Sequence, residues 1–128
     1  MADQIYQTIR KITPAGVVTT ISGTGDAVGT VEADGPISQA SYWGPYGICM
    51  DRHGNLFVAD MAAATIRKIT PAGKVITIAG IYGVETTTDG PGHQATFNHP
   101  AGIAVAPNGV IYVVEAFNDA IRILTPKR

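Results

Sequence analysis

Ile66-Arg67-Lys68-Ile69-Thr70-Pro71-Ala72-Gly73 repeats, residue for residue, Ile9-Arg10-Lys11-Ile12-Thr13-Pro14-Ala15-Gly16. Ile121-Arg122-Ile123-Leu124-Thr125-Pro126 begins the same phrase a third time. The phrase therefore starts at positions 9, 66 and 121, at nearly even steps. Self-similarity at such spacing marks a solenoid, a propeller or an array, because one unit cannot bury its own apolar faces. The fold is decided by what one repeat contains.

Outward from that phrase the copies keep agreeing. Asp34-Gly35-Pro36 answers Asp89-Gly90-Pro91, and Gln39-Ala40-Ser41-Tyr42 answers Gln94-Ala95-Thr96-Phe97. Leu56-Phe57-Val58-Ala59-Asp60 answers Ile111-Tyr112-Val113-Val114-Glu115. The two-residue difference in length lies upstream of Asp34, around Gly23 to Ala33, a Gly-rich stretch of the kind that surface loops tolerate. Each copy reads as short β-branched and aromatic strands separated by turn residues: Ile48-Cys49-Met50, then Asp51-Arg52-His53-Gly54-Asn55, then Leu56 to Ala59, Ile66 to Thr70, and Val75 to Ala79. No segment sustains helical spacing, and the alanines between Asp60 and Thr65 are too few for a stable helix.

Four strands in consecutive hairpins make one blade of a β-propeller. The pattern Phe97-x-x-Pro100-x-Gly102-Ile103-Ala104-Val105, followed by Asn108-Gly109-x-Ile111-Tyr112-Val113-x-Glu115 and by Asn118 and Ile121-Arg122, resembles the NHL repeat. The long linker carrying Asp-Gly-Pro, together with Thr77-Ile78-Ala79-Gly80, is similar to the long variety of that repeat in large bacterial and cell-surface proteins. The resemblance runs from Ala2 to Pro126 and implies an all-β fold of four-stranded antiparallel blades. Three positions depart from the pattern: Glu115 replaces the usual Asp kept at Asp60, Ala63 replaces the Asn kept at Asn118, and Ala106-Pro107 stands where Met50-Asp51 stands earlier. We read these departures as drift in structural turns.

Met1-Ala2-Asp3 aligns with Val58-Ala59-Asp60, so the sequence opens at the end of a second strand. With strands a to d counted outward from the axis, the order is c-d, a-b-c-d, a-b-c. The expected organisation of residues 1–128 is a single propeller segment: a partial blade over 1–23, a full blade over about 44–80 and an incomplete blade over about 99–126. About two blade-equivalents fall short of the four to eight that close a propeller. The expectation is a ring completed by association of copies, a trimer of six blades ahead of a dimer or tetramer. Val17 to Ser22 of one copy would supply the missing outer strand of another, and either Ile9 to Thr13 or Ile121 to Thr125 becomes surplus. A piece of a longer propeller is the alternative.

Composition narrows the class. In 128 residues, 45% hydrophobic content suits one folded domain, and no run approaches the 18 apolar residues of a membrane-spanning helix. A net charge of −1 argues against a general nucleic-acid surface, so nucleic acid and membrane are not expected partners. No signal peptide is visible from Met1 to Arg10, and the compartment stays open. Cys49, the lone cysteine, reads as a small buried apolar residue.

Asp3 to Arg10, Asp60 to Arg67 and Glu115 to Arg122 each make the same seven-residue step, which a b–c hairpin folds together. They are expected as structural ion pairs repeated around the ring, contributing about 0–1 kcal/mol each if they sit on the surface. His53, His93 and His99 lack the ligand spacing of a zinc site, and no metal or cofactor is expected. No serine stands in a G-x-S-x-G elbow, and Gly23-Thr24-Gly25 with Gly29 precedes no helix, so no catalytic or dinucleotide site is expected. The positions expected to line the channel, near Tyr46, Gly47, Ala101 and Gly102, carry no acid or imidazole.

Binding residues are sought in the linkers. Tyr42 and Phe97 share a repeat position and read as core plugs, whereas Trp43, Tyr46 and Tyr82 have no aromatic counterpart. With His99 they are the candidate contacts for a protein, peptide or sugar on the linker face. The expected function is a non-catalytic scaffold or interaction module that closes a ring with itself. The alternatives are the remnant of a lactonase- or lyase-type propeller enzyme and a lectin-like carbohydrate-binding ring.

Overall fold

The computed structural model describes residues 1–25 and 32–127. Most of the length difference near Gly23 to Ala33, and Gly29 with it, lies outside the described residues. The first sheet is β1 (Ala2–Asp3), β2 (Thr8–Ile12) and β3 (Val18–Ser22), in that order. The middle sheet has five strands, β4 (Gly35–Pro36), β5 (Pro45–Met50), β6 (Leu56–Asp60), β7 (Thr65–Ile69) and β8 (Lys74–Gly80), ordered β4-β8-β7-β6-β5. The last is β9 (Pro100–Val105), β10 (Ile111–Glu115) and β11 (Ala120–Leu124). Every pairing is antiparallel. The chain is thus an all-β partial propeller of about two blades, with no helix among the described residues.

One strand goes beyond the sequence expectation. Gly35-Pro36, in the linker before the inner strand, pairs with Val75 and Lys74 and adds a fifth, outermost strand to the middle blade. A proline is tolerated there because an edge strand can spare a backbone donor. The linker therefore belongs to the blade it enters, and it wraps that blade from outside.

The repeated phrase explains the hairpin between strands c and d. Thr70 N donates to Lys74 O and Gly73 N to Thr70 O, both at 2.9 Å. Pro71 presets the first turn angle, and Gly73 takes φ 85°, a left-handed conformation that a side chain would oppose. Gly16, at φ 83°, does the same between β2 and β3. In both hairpins the register shifts just before the arginine, between Ile9 and Arg10 and between Ile66 and Arg67. Such bulges re-aim the next side chain.

The core lies between blades. Ile9, Ala40, Tyr42, Val58, Ile69 and Val75 join the first sheet to the middle one. Phe57, Ala59, Ile66, Ala79, Ala95, Phe97, Ile111 and Val113 join the middle sheet to the last. Tyr42 and Phe97 plug equivalent places in these two interfaces and are fully buried, each contributing roughly 2–3 kcal/mol of apolar burial. The repeats thus stabilise one another face to face. On β11, which lacks such a neighbour, Ile121 and Ile123 are 69% and 62% exposed.

Candidate functional site

Two features could carry function: a buried arginine node in each blade, and a group of aromatic rings on the linker face. The b–c hairpin builds the first. Because Val58 pairs with Arg67 and Asp60 with Thr65, the acid ending β6 and the arginine of β7 lie near one another. The Arg67 side chain is fully buried, its Nη1 3.8 Å from Asp60 Oδ2. Closer partners come from the incoming linker. Nη1 donates to Glu32 Oε1 (2.9 Å), while Nε and Nη2 donate to Asp34 Oδ1 (3.1 and 2.8 Å). Nη1 also donates to Ser41 O and Nη2 to Ala33 O, and the guanidinium lies 4.9 Å from the centre of the Tyr42 ring.

Asp60 is turned largely toward backbone. Its oxygens accept from Trp43 N (3.0 Å) and Gly44 N (2.6 Å), which fixes the linker where it enters β5. Burial raises the Asp60 carboxyl above the ordinary range, against these hydrogen bonds and Arg67.

The last blade builds the same node from other residues. Glu115 Oε1 reaches Arg122 Nη1 at 2.6 Å, Asp89 Oδ1 accepts from Nε and Nη2, and the guanidinium lies 4.8 Å from the Phe97 ring centre. Here the strand acid is one methylene longer and supplies the carboxylate that Glu32 supplies in the middle blade. Thr87 stands at the position of Glu32, and its hydroxyl donates to Glu115 Oε2; Asn118, where the middle blade has Ala63, donates there too. The departures at Glu115 and Ala63 are therefore compensated exchanges rather than drift: the acid that meets the arginine Nη1 directly, beside the linker Asp, is carried by the strand in the last blade and by the linker in the middle one. In the first blade Arg10 is 3.9 Å from Asp3 and about a third exposed. Two of the three acid–arginine pairs are thus buried networks instead of surface pairs. Glu32, Asp34 and Asp89 complete them, and the repeated Asp-Gly-Pro is the visible signal for two of these.

Burial sets the Glu32 carboxyl at about 7, above its ordinary 4.5, opposed by Arg67 and the Thr65 hydroxyl and assisted by Asp60 and Asp34. A carboxyl whose pKa rises on folding binds its proton more tightly in the folded chain. Its stabilising contribution is complete below about pH 4.5 and is lost as pH rises through about 7. Asp60 acts in the same direction. Glu115 acts in the opposite one: burial raises it, but Asn118, Thr87, Arg122 and Asn98 N together hold it low. Its contribution is lost in acid, below about pH 4.5. Stability is expected to fall between pH 5 and pH 8 by an amount on the order of 2–3 kcal/mol, seen as a lower melting temperature at pH 8. Glu32→Gln should flatten that slope. An unchanged slope in the variant would remove Glu32 as its cause.

On the linker face the structure brings Trp43 and Tyr82 together, with ring centres 5.6 Å apart at 35°. Trp43 is held from both sides, since Asp60 takes its N–H and Gln7 Nε2 donates to its carbonyl. Both rings remain over 40% exposed. His99 makes an edge contact with Phe117 at 4.9 Å, and its backbone is left-handed at φ 52°. Phe117, 74% exposed, is absent from the sequence-derived candidates. Tyr46 lies exposed on β5, apart from the Trp43–Tyr82 ring contact. Cys49 is half-buried on the same strand, where burial and then Asp51 push its thiol up to about 11. Among the described residues no group of three or more His, Cys, Asp or Glu could hold a metal ion.

No protein-family model matches the chain. It is 30% identical over 96 residues to human NHL repeat-containing protein 2, covering 73% of this chain and 13% of that protein. It is 28% identical over 102 residues to virginiamycin B lyase of Nocardia farcinica, covering 80% of this chain and 31% of that one. Among solved structures, it superposes with a TM-score of 0.89 on a Bacteroides thetaiotaomicron protein of unknown function. That match is 33% identical and covers 96% of this chain and 31% of the other. The chain spans less than a third of the length of each.

Proposed function

The chain belongs to the NHL-repeat β-propeller family, and on that premise we propose that it is a non-catalytic scaffold that closes its ring by association with further copies. One observation carries this reading. A cleft of about 1020 Å³ opens along β11, lined by Ile78, Asp89, Phe97, Ile111, Arg122 and Leu124. In the middle blade β8 lies between β7 and β4; in the last blade, among the described residues, no strand lies between β11 and the equivalent Gly90-Pro91. An open sheet edge beside exposed isoleucines favours association. The ring so formed presents Trp43 and Tyr82 on its linker face, where a peptide or sugar can stack.

Light scattering after gel filtration tests the reading. A mass of three times 13.4 kDa is expected for a six-bladed ring, and a stable monomer would sink the proposal. Gly102→Ala gives a second test. A Cβ there meets only Val114, at 3.6 Å, an ordinary contact. Its counterpart Gly47 is pressed against the next blade, with Ala101 O only 2.0 Å from a built Cβ. Gly102→Ala should leave the melting of the separated chain within about 0.5 kcal/mol and reduce ring assembly at least tenfold. Assembly undiminished by this variant would show that β9 meets no further blade.

A further inference from the structure

Because every pairing is antiparallel, the b–c turns and the linkers share one end of the blades, and the a–b and c–d turns share the other. The two ends differ in charge. None of the linker-end connections, 4–7, 32–44, 61–64, 81–99 and 116–119, contains a lysine or an arginine. Lys11, Arg52, Lys68 and Lys74 all stand in the turns of the opposite end or two residues from them. On the linker end Glu85 is exposed, and among the described residues it has no ion-pair partner.

Trp43 and Tyr82 lie on this end, and the chain fixes both before any partner arrives. Trp43 is tied to Asp60 at the end of β6 and to Gln7 in the turn before β2. Tyr82 stands second in a turn in which Val84 N donates to Ile81 O at 3.0 Å. Gly83, at φ 75°, anchors that turn by donating its N–H to Ala63 O, also at 3.0 Å. A partner therefore need not order either backbone segment, which removes one cost of binding.

Exposed aromatic rings stack on sugars and attract cations alike, the latter within about 6 Å of the ring centre. The surroundings decide between the two. An end with an unpaired carboxylate and no basic side chain in its connections complements a positive partner. The chain uses the same chemistry internally, with guanidinium groups 4.9 Å from the Tyr42 ring and 4.8 Å from the Phe97 ring. Ile81 and Val84, partly exposed on either side of Tyr82 and Gly83, suit the apolar stem of a long basic side chain.

We infer that the Trp43–Tyr82 pair docks a basic peptide segment of another protein, with an arginine stacked on the rings and Glu85 offsetting its charge. This rests on the linker-face binding proposed above and names its partner class. It does not require ring closure, because all the residues belong to one chain.

The probe is a blocked hexapeptide alternating arginine and glycine, and Trp43, the one tryptophan, reports its binding by fluorescence. A saturable change is expected, weakened about fivefold or more when uncharged citrulline replaces arginine. Tyr82→Ala should weaken binding by about fivefold and Tyr82→Phe, which keeps the ring, should not. Glu85→Gln should weaken it by about threefold, and so should raising the salt from about 0.05 to about 0.5 M. Both positions are exposed, and circular dichroism confirms the fold of each variant. A citrulline peptide that binds as well as the arginine peptide, or wild-type affinity in Tyr82→Ala, overturns the proposal. A response to maltohexaose without one to the arginine peptide overturns the basic partner and leaves the linker face a binding site. Silence toward both probes overturns both, while the mass of the chain judges ring closure separately.

Discussion

Arg67→Met is expected to lower the stability of the chain by about 3–5 kcal/mol, the range for removing one partner of a buried ion pair. The guanidinium is 0% exposed and answers three carboxylates, Glu32, Asp34 and Asp60, besides the carbonyls of Ser41 and Ala33. Methionine fills much of the volume, removes the guanidinium from four acceptors (Glu32, Asp34, Ser41 O and Ala33 O) and leaves Asp60 without its counter-charge. For a domain of this size the melting temperature should drop by roughly 10–20 °C. Arg67→Lys should fall between, since a point charge cannot serve Asp34 through two nitrogens at once. Arg10→Ala is the contrast. Its carboxylate is 3.9 Å away and both side chains are partly exposed, so less than about 1 kcal/mol is expected. Urea melts of the three variants check this ordering. A neutral Arg67→Met would mean that the node gives specificity without net stability.

Gly47→Ala is expected to be comparably damaging for a different reason. Its backbone is not in the left-handed region, so conformation is no obstacle. Space is: a Cβ would stand 2.0 Å from Ala101 O and 3.1 Å from Ala101 C, backbone atoms of the next blade's inner strand. Side chains can rotate aside, but a paired strand can yield only by moving the blade. Overpacking commonly costs about 1–3 kcal/mol, and the rigid neighbour places this case at or above the upper end. The loss should appear as a lower urea midpoint, with weakened packing of Ile103, whose methyl lies 3.3 Å from the same Cβ. Unaltered melting of Gly47→Ala would mean that the inner strands pack more loosely than the structure has them.

Much of the blade is legible in the sequence because its determinants are local. The Thr-Pro-Ala-Gly turn, the strand residues Leu56 to Ala59 and the seven-residue step from acid to arginine each lie within one hairpin. The depth of the node is not legible. Asp60 and Arg67 announce a pair, yet the carboxylates nearest Arg67 are Glu32 and Asp34, far upstream in the linker. Glu32 has no acidic counterpart at Thr87, so comparing the copies position by position discards it. Only the spatial view shows that Glu115 carries the same carboxylate from the opposite side. The aromatic face divides in the same way. Trp43 and Tyr82 stand out in the sequence as unmatched aromatics, but their 5.6 Å contact joins residues from two different linkers.

The repeat, the strand order and the all-β blade follow from the amino-acid order, because hairpin pairing and turn chemistry act over a few neighbouring residues and are written twice. Which arginines are buried and which acid answers each emerge from packing in three dimensions. Those outcomes depend on the path of a linker around the blade it enters, and on whether a carboxylate one methylene longer can close the remaining distance.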